Sequence, residues 1–471
     1  MIFGFDSMNG IEMHPIRRER FEALVGYSRL PHAAMISQEL EWYANDGEWL
    51  LSTILVDYDD EFAVIILGRD SDRRFRCIES LAPYQTLEAA RKCMLAKSRE
   101  LITDAKMIYP QGDEKGKKKD IFEPIYPIGK LNPNFEIVRT IRGYTSAKEI
   151  IGEAMHHYTD IDGNFVEQFQ TTGFDSRLWE LYLFAYLTEE SLLIDRTHYA
   201  PDFIVSDGRQ TVAIEAVTVQ PSQNVVAEEI DFATLTPEKI QELQRHYMPI
   251  KFGSPLYSKL KKKYWDLEHV GGCPLVFAIA DFHANQSMLW SATALQNYLY
   301  GVRHVFRFSD DGQLIVSPIK IDFHEHNGKS IPSGFFFTEN AEHVSAVMFS
   351  STGTISKFIR MGKLAGFGDP AVKVLYGGAC HKHDKNSALP DQFFFEIDEN
   401  YEETWGEGIS IFHNPKALHP LSRDVFPSVA HHYMQEDGQI VSLLPEFHPY
   451  NGLTTMLVPT EEPDASDSSV A

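Results

Sequence analysis

Three carboxylates lie in segments that are otherwise apolar, and this constrains the fold more than any other feature of the chain. Glu180 is the one charge in residues 178–187, and Glu215 is the one charge in residues 211–219. Asp202 begins a third apolar segment. Burying a lone carboxylate costs several kcal/mol even after the protein relaxes. Three so close along the chain require a shared counter-charge, and a divalent metal ion held by oxygen ligands supplies one.

The spacing of two of these carboxylates predicts that they meet on one face of a β-hairpin. Asp207 and Gly208 separate two apolar segments, which is a strong hairpin signal. If these two residues form the whole turn, Asp202 lies opposite Ala213 and diagonally across from Glu215. Diagonal neighbours are roughly 6–8 Å apart at Cβ, a gap that one metal ion can bridge.

The surrounding residues predict a fixed order of elements. A helix is expected over 165–189, followed by three strands that end at residue 219. After an acidic insertion, whose helix begins at Thr236-Pro237, a basic helix is expected to begin at Ser254 as its N-cap. The continuous apolar run at 273–283 is typical of a strand buried on both faces. The order is therefore helix, three strands, helix, strand.

In this order, the helical Glu180, Pro201-Asp202 and the strand residue Glu215 resemble the PD-(D/E)XK nuclease superfamily. The resemblance covers residues 160–285. It implies a restriction-endonuclease-like fold and hydrolysis of nucleic-acid phosphodiester bonds with Mg²⁺ or Mn²⁺. It also implies that Asp202 and Glu215 hold the metal ion and that Glu180 assists directly or through water. The expected protein is of bacterial type and cytoplasmic, and DNA is favoured over RNA as its substrate.

The sequence departs from the superfamily at one position, because Val217 stands where the motif has a lysine. In this superfamily that lysine can migrate to a neighbouring element. The helix that follows offers Lys259 first and Lys263 second, which share one helical face if the helix continues through both. The alternative is a degenerate site, and then the chain is a catalytically inactive binding or assembly protein.

Further basic residues are candidates for contact with nucleic-acid phosphates. Lys261 and Lys262 extend the first basic helix, and a second helix carries Lys357, Arg360 and Lys363 at three-residue spacing. An ordinary solvated surface explains both groups about equally well. The sequence also leaves open a homodimer or a protein partner.

The expected fold class is α/β (α+β), in which helices flank a mixed central sheet. Five parts are predicted: a small α+β domain at 1–109, a linker at 110–144, the nuclease-like core at 145–300, a C-terminal elaboration of the core or a separate domain at 301–460, and a disordered tail at 461–471. Asp281 and His283, at the end of the buried strand, are candidates to support the metal site.

Composition excludes several classes of protein. The 471 residues carry a net charge of −24, so any nucleic-acid contact must come from a local patch, and an enzyme acting on another substrate remains a weaker alternative. The four cysteines form no CxxC pair, which argues against a thiolate zinc site. The apolar runs are too short to span a bilayer, so no membrane association is expected.

Overall fold

The fold is described from a computed structural model, which describes residues 12–104, 106–114, 120–221 and 235–459. The protein is a mixed α/β molecule, as predicted. Its α-helices are α1 Arg18–Val25, α2 Pro31–Ile36, α3 Leu87–Thr103, α4 Pro133–Thr140, α5 Thr145–His157, α6 Phe165–Gln170, α7 Phe174–Glu189, α8 Pro237–Glu242, α9 Met248–Leu260, α10 Met288–Tyr300 and α11 Ile355–Leu364.

The strands form five sheets, of which one has eight strands. The strands are β1 Met13–Pro15, β2 Ser37–Asn45, β3 Leu50–Asp57, β4 Phe62–Arg69, β5 Phe75–Tyr84, β6 Leu193–Asp195, β7 Phe203–Ser206, β8 Thr211–Val219, β9 Leu275–Asp281, β10 Val302–Phe308, β11 Leu314–Lys320, β12 Phe323–His326, β13 Lys329–Pro332, β14 Ala346–Ser350, β15 Lys373–Cys380, β16 Asp391–Glu396, β17 Ile409–His413, β18 Ala430–Met434, β19 Ile440–Leu443 and β20 Pro449–Leu457.

The large sheet forms the centre of the molecule and has the order β19-β18-β17-β14-β9-β8-β7-β6. Strands β6, β7 and β8 are successive antiparallel neighbours, whereas β8, β9 and β14 run parallel. A parallel pair needs a crossover connection, and α9 lies in the connection from β8 to β9. The predicted order of helix, three strands, helix and strand is therefore present as α7, β6–β8, α9 and β9.

Each face of the central sheet packs against its own apolar core. Phe203, Val205 and Ile214 point toward the core that contains α7. Ala213 and Val217 point toward the core that contains α9 and α10. Alternate residues of a strand face opposite sides, so this alternation decides which side chains of β7 and β8 can meet α9.

The N-terminal part contains the sheet and helix that the sequence predicts. Strands β1 to β5 form an antiparallel sheet, and the N-cap of α3 is Thr86, whose hydroxyl accepts from the Ala89 amide. Leu50 and Ile54 face the small core beneath α3, whereas Leu51 on the opposite face joins the core that contains α7. This sheet therefore packs on the rest of the molecule through its second face.

The stretch at 110–144, which the sequence predicts as a linker, is part of the folded core where it is described. It contains α4, whose N-cap is Asn132, and the side chains of Phe122, Phe135 and Val138 are buried. The segment shows no helical period because its apolar residues are interrupted by prolines. Its apolar side chains are buried against residues that lie far away in the sequence, which a local pattern of residues does not indicate.

Within residues 301–460, several strands share the central sheet. Strands β14, β17, β18 and β19 extend the central sheet beyond β9. Strands β15, β16 and β20 form a separate three-stranded sheet, and the pairs β10–β11 and β12–β13 are hairpins. The predicted tail at 461–471 lies outside the described residues. In the part of the chain that is described, no helix is both long enough and apolar enough to cross a membrane.

Candidate active site

The hairpin between β7 and β8 brings Asp202 and Glu215 face to face. Ser206 pairs with Thr211, so the turn contains residues 207–210, and the predicted two-residue turn is wrong. Continuing the observed register by one residue beyond Phe203 places Asp202 directly opposite Glu215. The register differs from the expected one by two residues, and because strand side chains alternate with a period of two, the shared face is preserved.

Asp207 explains the longer turn. Its Oδ1 accepts hydrogen bonds from the backbone amides of Arg209 and Gln210, at 2.9 and 2.8 Å. An Asp side chain that accepts from amides just ahead in the chain stabilises a local turn. Gly208 adopts a positive φ of 84°, a conformation that glycine reaches without strain.

Asp202 directly precedes β7 and is partly exposed. Its Oδ2 accepts a hydrogen bond of 2.8 Å from the Ala216 amide, which attaches the side chain to β8. Burial of the carboxyl group raises the pKa of Asp202 to about 7, and the nearby charges of Glu215 and Glu180 act in the same direction. The Ala216 amide and the charge of Lys259 offset these effects only in part, so the negative charge of Asp202 is incompletely compensated.

Glu215 is buried and has two partners on the α9 side of the sheet. The Lys259 ammonium group forms an ion pair and hydrogen bond with Oε1 of Glu215. The Tyr264 hydroxyl donates to the same oxygen at 2.6 Å. Burial and the charge of Glu215 raise the pKa of Tyr264 well above its usual range, so this phenol remains a donor. The sequence does not single out Tyr264, because it lies in a short 3₁₀ turn after the lysine run.

Of the two lysines predicted to replace the missing strand lysine, only Lys259 lies at Glu215. Lys259 is in the last turn of α9, which ends at Leu260. Lys263 has a left-handed φ of 51° and is exposed, so the predicted shared helical face of Lys259 and Lys263 is wrong. Ser254 lies inside the helix and is not its N-cap, because α9 begins at Met248. Lys261 and Lys262 follow the helix and are exposed.

Val217, where the resemblance leads us to expect a lysine, is buried against the core that contains α9. It shares its strand face with Glu215. The apolar side chain packs beneath α9, and Lys259 of the same helix supplies the positive charge at Glu215. The lysine ammonium next to the strand glutamate therefore comes from the helix and not from the strand.

Glu180 is buried on α7 and carries its own compensation. Both its carboxylate oxygens accept from Arg177, at 2.8 and 2.9 Å, and Oε2 also accepts from the Tyr158 hydroxyl at 2.7 Å. Glu180 and Asp202 line one small cleft. Arg177 lies three positions before Glu180 on α7, a spacing at which helical side chains meet. Tyr158 carries no signal in the sequence.

The three predicted metal ligands do not form a compact set. Within the described ranges, the one group that offers three ligand atoms within 4.8 Å of one another is Asp70, Asp113 and Glu114. Arg74 and Arg76 form ion pairs with this group, at 2.7 Å to Asp70 and 3.1 Å to Asp113. Its charge is therefore partly compensated by arginines, and it lies within residues 70–114, toward the N-terminal end of the chain.

Asp202 and Glu215 by themselves suit a magnesium ion. Mg²⁺ keeps several water ligands and is usually bound through one or two carboxylates together with substrate phosphates. Two carboxylates on one face of a hairpin, one of them partly exposed, match that donor set. Glu180 is held by Arg177 and Tyr158, and so its predicted part in holding the metal stays a prediction.

Two of the three residues of the second basic helix cannot make the predicted phosphate contacts, whereas the contact of Lys363 stays a prediction. Lys357 and Arg360 are buried and form ion pairs with the buried Glu403, at 2.6 and 2.7 Å. A side chain enclosed in the core cannot contact nucleic acid, so this prediction is wrong for both residues. Lys363 is partly exposed and donates to the backbone carbonyls of Asp369 and Pro370, at 3.4 and 3.3 Å. The three-residue spacing marks the buried face of α11.

Asp281 and His283 form a buried pair away from this site. The His283 Nδ1 lies 2.7 Å from Oδ1 of Asp281. Asp281 is level with Val219 in the register, four residues beyond Glu215, which is about 13 Å along the strand. The pair is therefore too far along β9 to support the carboxylates of the hairpin directly.

Comparison of the chain with protein-family models, with curated proteins and with solved structures found no match.

Proposed function

We propose that this chain is a metal-dependent nuclease of the PD-(D/E)XK type that hydrolyses phosphodiester bonds, with DNA favoured over RNA. One observation supports this most strongly. Asp202 faces Glu215 across a hairpin, and Lys259 from the crossover helix reaches Glu215. A metal-binding pair of carboxylates with an adjacent lysine is the chemistry that the superfamily's motif requires. Here the lysine comes from α9 because Val217 occupies the strand position.

Asp202 and Glu215 would hold Mg²⁺ or Mn²⁺. When bound, such an ion lowers the pKa of a coordinated water and stabilises charge on the phosphate. Tyr264 orients Glu215 through its hydrogen bond. The Lys259 ammonium lies beside the same carboxylate, where it can donate to the attacking water or to a phosphate oxygen. A cation at this position stabilises the charge that develops in the transition state.

Substrate contact is assigned to the exposed lysines after α9. Lys261, Lys262 and Lys263 directly follow the helix that carries Lys259. They supply a local positive patch in a chain whose net charge is −24. Each phosphate contact through such a residue contributes about 0.7–0.9 to the slope of log affinity against log salt.

The metal site is tested by calorimetric titration of Mg²⁺ and Mn²⁺, together with cleavage of single- and double-stranded DNA and RNA. Asp202→Asn and Glu215→Gln are each expected to abolish both metal binding and cleavage, because each removes one of two carboxylates. Glu114→Gln is the matched control at the other acidic group and is expected to leave both unchanged. Metal binding that disappears only in Glu114→Gln would show that the ion belongs to the N-terminal group.

The role of the lysine is tested separately. Lys259→Ala is expected to lower the cleavage rate strongly and to leave metal affinity nearly intact, because the ammonium group acts on water or phosphate. Lys320→Ala, at an exposed lysine outside the substrate-contact group, is the control for loss of one positive charge. Equal effects of the two substitutions on rate would show that Lys259 acts only through the overall charge of the protein. Full activity in Lys259→Ala would exclude Lys259 as the migrated lysine.

A second candidate is a catalytically inactive binding or assembly protein on the same fold. Glu180 is neutralised by Arg177, and Glu215 is neutralised by Lys259, so two of the three carboxylates need no metal ion. In that case the unaltered protein binds neither Mg²⁺ nor Mn²⁺ and cleaves no nucleic acid. The calorimetric titration above distinguishes the two candidates without requiring a known substrate.

A further inference from the structure

A cleft of about 440 Å³ opens between the start of α10 and the end of the three-stranded sheet. This volume lies within the range of about 300–1,000 Å³ that is usual for small-molecule sites. Its lining includes Trp290 from α10, His381 just after β15, and Tyr450 and Asn451 from β20. It is separate from the hairpin that carries Asp202 and Glu215, and none of the residues assigned to the nuclease site lines it.

Aromatic rings dominate one part of this cleft. His381 and Tyr450 are stacked, with ring centroids 3.8 Å apart and an interplanar angle of 22°. Although one face of Tyr450 is covered in this way, the residue is still 40 % exposed, so part of its ring remains open to a ligand. Aromatic rings favour offset stacking on other flat π systems. Burial lowers the pKa of His381 to about 4, so its imidazole is neutral at pH 7.

The charge of the lining is unusual for this molecule. None of the described lining residues is a carboxylate, although the chain as a whole carries 67 acidic residues. One lysine, Lys382, stands in the lining, and its ion pair with Asp391 at 3.3 Å is largely exposed. Exposed ion pairs of this kind contribute little, so the ammonium group can turn to another anion. The cleft therefore favours a neutral or anionic ligand over a cation.

The cleft is pre-formed by hydrogen bonds between its walls. The Asn451 amide donates to the Leu289 carbonyl at 2.9 Å, and the Gln244 amide donates to the Trp290 carbonyl. These two bonds attach the first turn of α10 to β20 and to the helical turn before α9. Gln244 retains its side-chain carbonyl oxygen as an acceptor, and the exposed Thr293 lines the same cleft.

We infer that this cleft binds a nucleobase, held by stacking on Tyr450 and by hydrogen bonds to Thr293 and Gln244. A base has the flat π face that the rings require and an edge of donors and acceptors for an amide and a hydroxyl. Lys382 lies where it can contact an attached phosphate. The base belongs either to a free nucleotide or to a nucleic-acid strand, since both present the same ring. This inference does not depend on the proposed nuclease activity.

The experiment uses the full chain and measures binding by calorimetry with AMP, with a short single-stranded oligoadenylate and with ribose 5-phosphate, which lacks a base. Tyr450→Ala is expected to weaken the binding of a base-containing probe by about tenfold, since stacking on one aromatic ring contributes on that order. Tyr450→Phe keeps the ring and is expected to retain the affinity. Thr293→Val is expected to weaken binding by about fivefold through loss of one hydrogen bond.

Two variants control for unrelated effects. Tyr58→Ala removes a tyrosine that is 82 % exposed and distant from the cleft in sequence, and it is expected to change nothing. Asp202→Asn is expected to bind AMP as the unaltered protein does, so loss of nuclease activity and loss of base binding are separable. Because Tyr450 is exposed, Tyr450→Ala is expected to fold, and its melting temperature checks this.

The outcomes separate the two sources of the base. AMP binding that Tyr450→Ala weakens supports a free-nucleotide site. Oligoadenylate binding that Tyr450→Ala weakens, without binding of AMP, supports a base of a strand. The inference is overturned if neither probe binds, if ribose 5-phosphate binds as tightly as AMP, or if Tyr450→Ala and Thr293→Val bind both probes normally.

Discussion

At the scale of single residues, compensation of buried charge explains the environment of Glu215. Lys259 and Tyr264 converge on one oxygen of its carboxylate, one as a cation and the other as a neutral donor. Removing one partner of such a pair leaves a charge without compensation, which is costly, whereas the intact pair contributes little net stability. Asp202 forms no direct ion pair with any described residue, and burial raises its pKa to about 7.

Lys259→Met should therefore destabilise the metal-free protein. Glu215 would keep only the Tyr264 hydrogen bond, and we expect the free energy of unfolding to fall by about 1–3 kcal/mol, less than for a fully enclosed pair because Lys259 is partly exposed. Urea unfolding measures this change. Lys262→Met, a neighbouring exposed lysine, should cost almost nothing, and equal losses in the two variants would contradict a specific pair with Glu215.

Arg360 should be far more sensitive to substitution. Its guanidinium donates to both oxygens of Glu403, and Lys357 contacts the same carboxylate. Arg360→Met leaves a fully buried carboxylate with one cation, and a loss of about 3–5 kcal/mol is expected. Lys363→Gln, on the same helix but partly exposed, should lie within about 0.5 kcal/mol of the unaltered protein. Thermal unfolding of both variants decides whether the buried basic face of α11 stabilises the fold.

At the scale of elements, the turn between β7 and β8 sets the register that aligns Asp202 with Glu215. The turn has four residues, and Asp207 closes it with hydrogen bonds to two amides. A register change by one residue would move Asp202 to the opposite face of the sheet, so the turn is as important to the site as its ligands. Helix α9 is the second element on which the site depends, because its last turn carries Lys259.

Gly208→Ala tests the turn. No atom lies within 4 Å of an added Cβ, so the cost is conformational and comes from the positive φ of 84°. We expect a loss of about 1 kcal/mol in the free energy of unfolding. Gly129→Ala is the matched control, because its added Cβ is equally free of contacts and its φ is not in the left-handed region. Similar losses in both variants would contradict this account.

At the scale of the whole molecule, opposing groups of buried titratable residues set the dependence of stability on pH. Burial lowers the pKa values of His413, His432 and His448 to about 3. Burial also raises the pKa of Glu189 to about 7 and that of Glu407 to about 8. As the pH falls, the histidines destabilise the fold, whereas these glutamic acids stabilise it. These opposite effects partly cancel in the unaltered protein, so the contribution of one residue is measured by comparing the pH dependence of stability with that of a single-site variant.

His432→Gln isolates one of these contributions. An unfolded histidine has a pKa of about 6.5, so between pH 6.5 and 3 the unfolded chain binds a proton that folded His432 does not. Stability from this residue is present above pH 6.5 and is lost as the pH falls. The decrease in unfolding free energy from pH 7 to pH 5 should be smaller by about 2 kcal/mol in the variant. Replacing the exposed His32 by Gln should not change it.

Local sequence determined the elements whose signals are complete within a few residues. Helix α8 begins at Thr236-Pro237 as predicted, and Thr236 caps it as Thr86 caps α3, because a cap needs only its own hydroxyl and the next turn of helix. The apolar run before Asp281 forms the buried strand β9 for a similar reason. The shared face of Asp202 and Glu215 also followed from the sequence, since an even difference in register leaves strand faces unchanged.

Only the tertiary structure decided what surrounds each charge. The sequence cannot show that Lys357 and Arg360 point at Glu403, because their partner lies more than 40 residues away along the chain. The contact between Tyr264 and Glu215 is equally hidden in the sequence, because it forms only when α9 packs on β8. Whether a charged side chain lies in solvent, pairs in the core or binds a ligand depends on distant chain segments, and a local pattern of residues does not specify them.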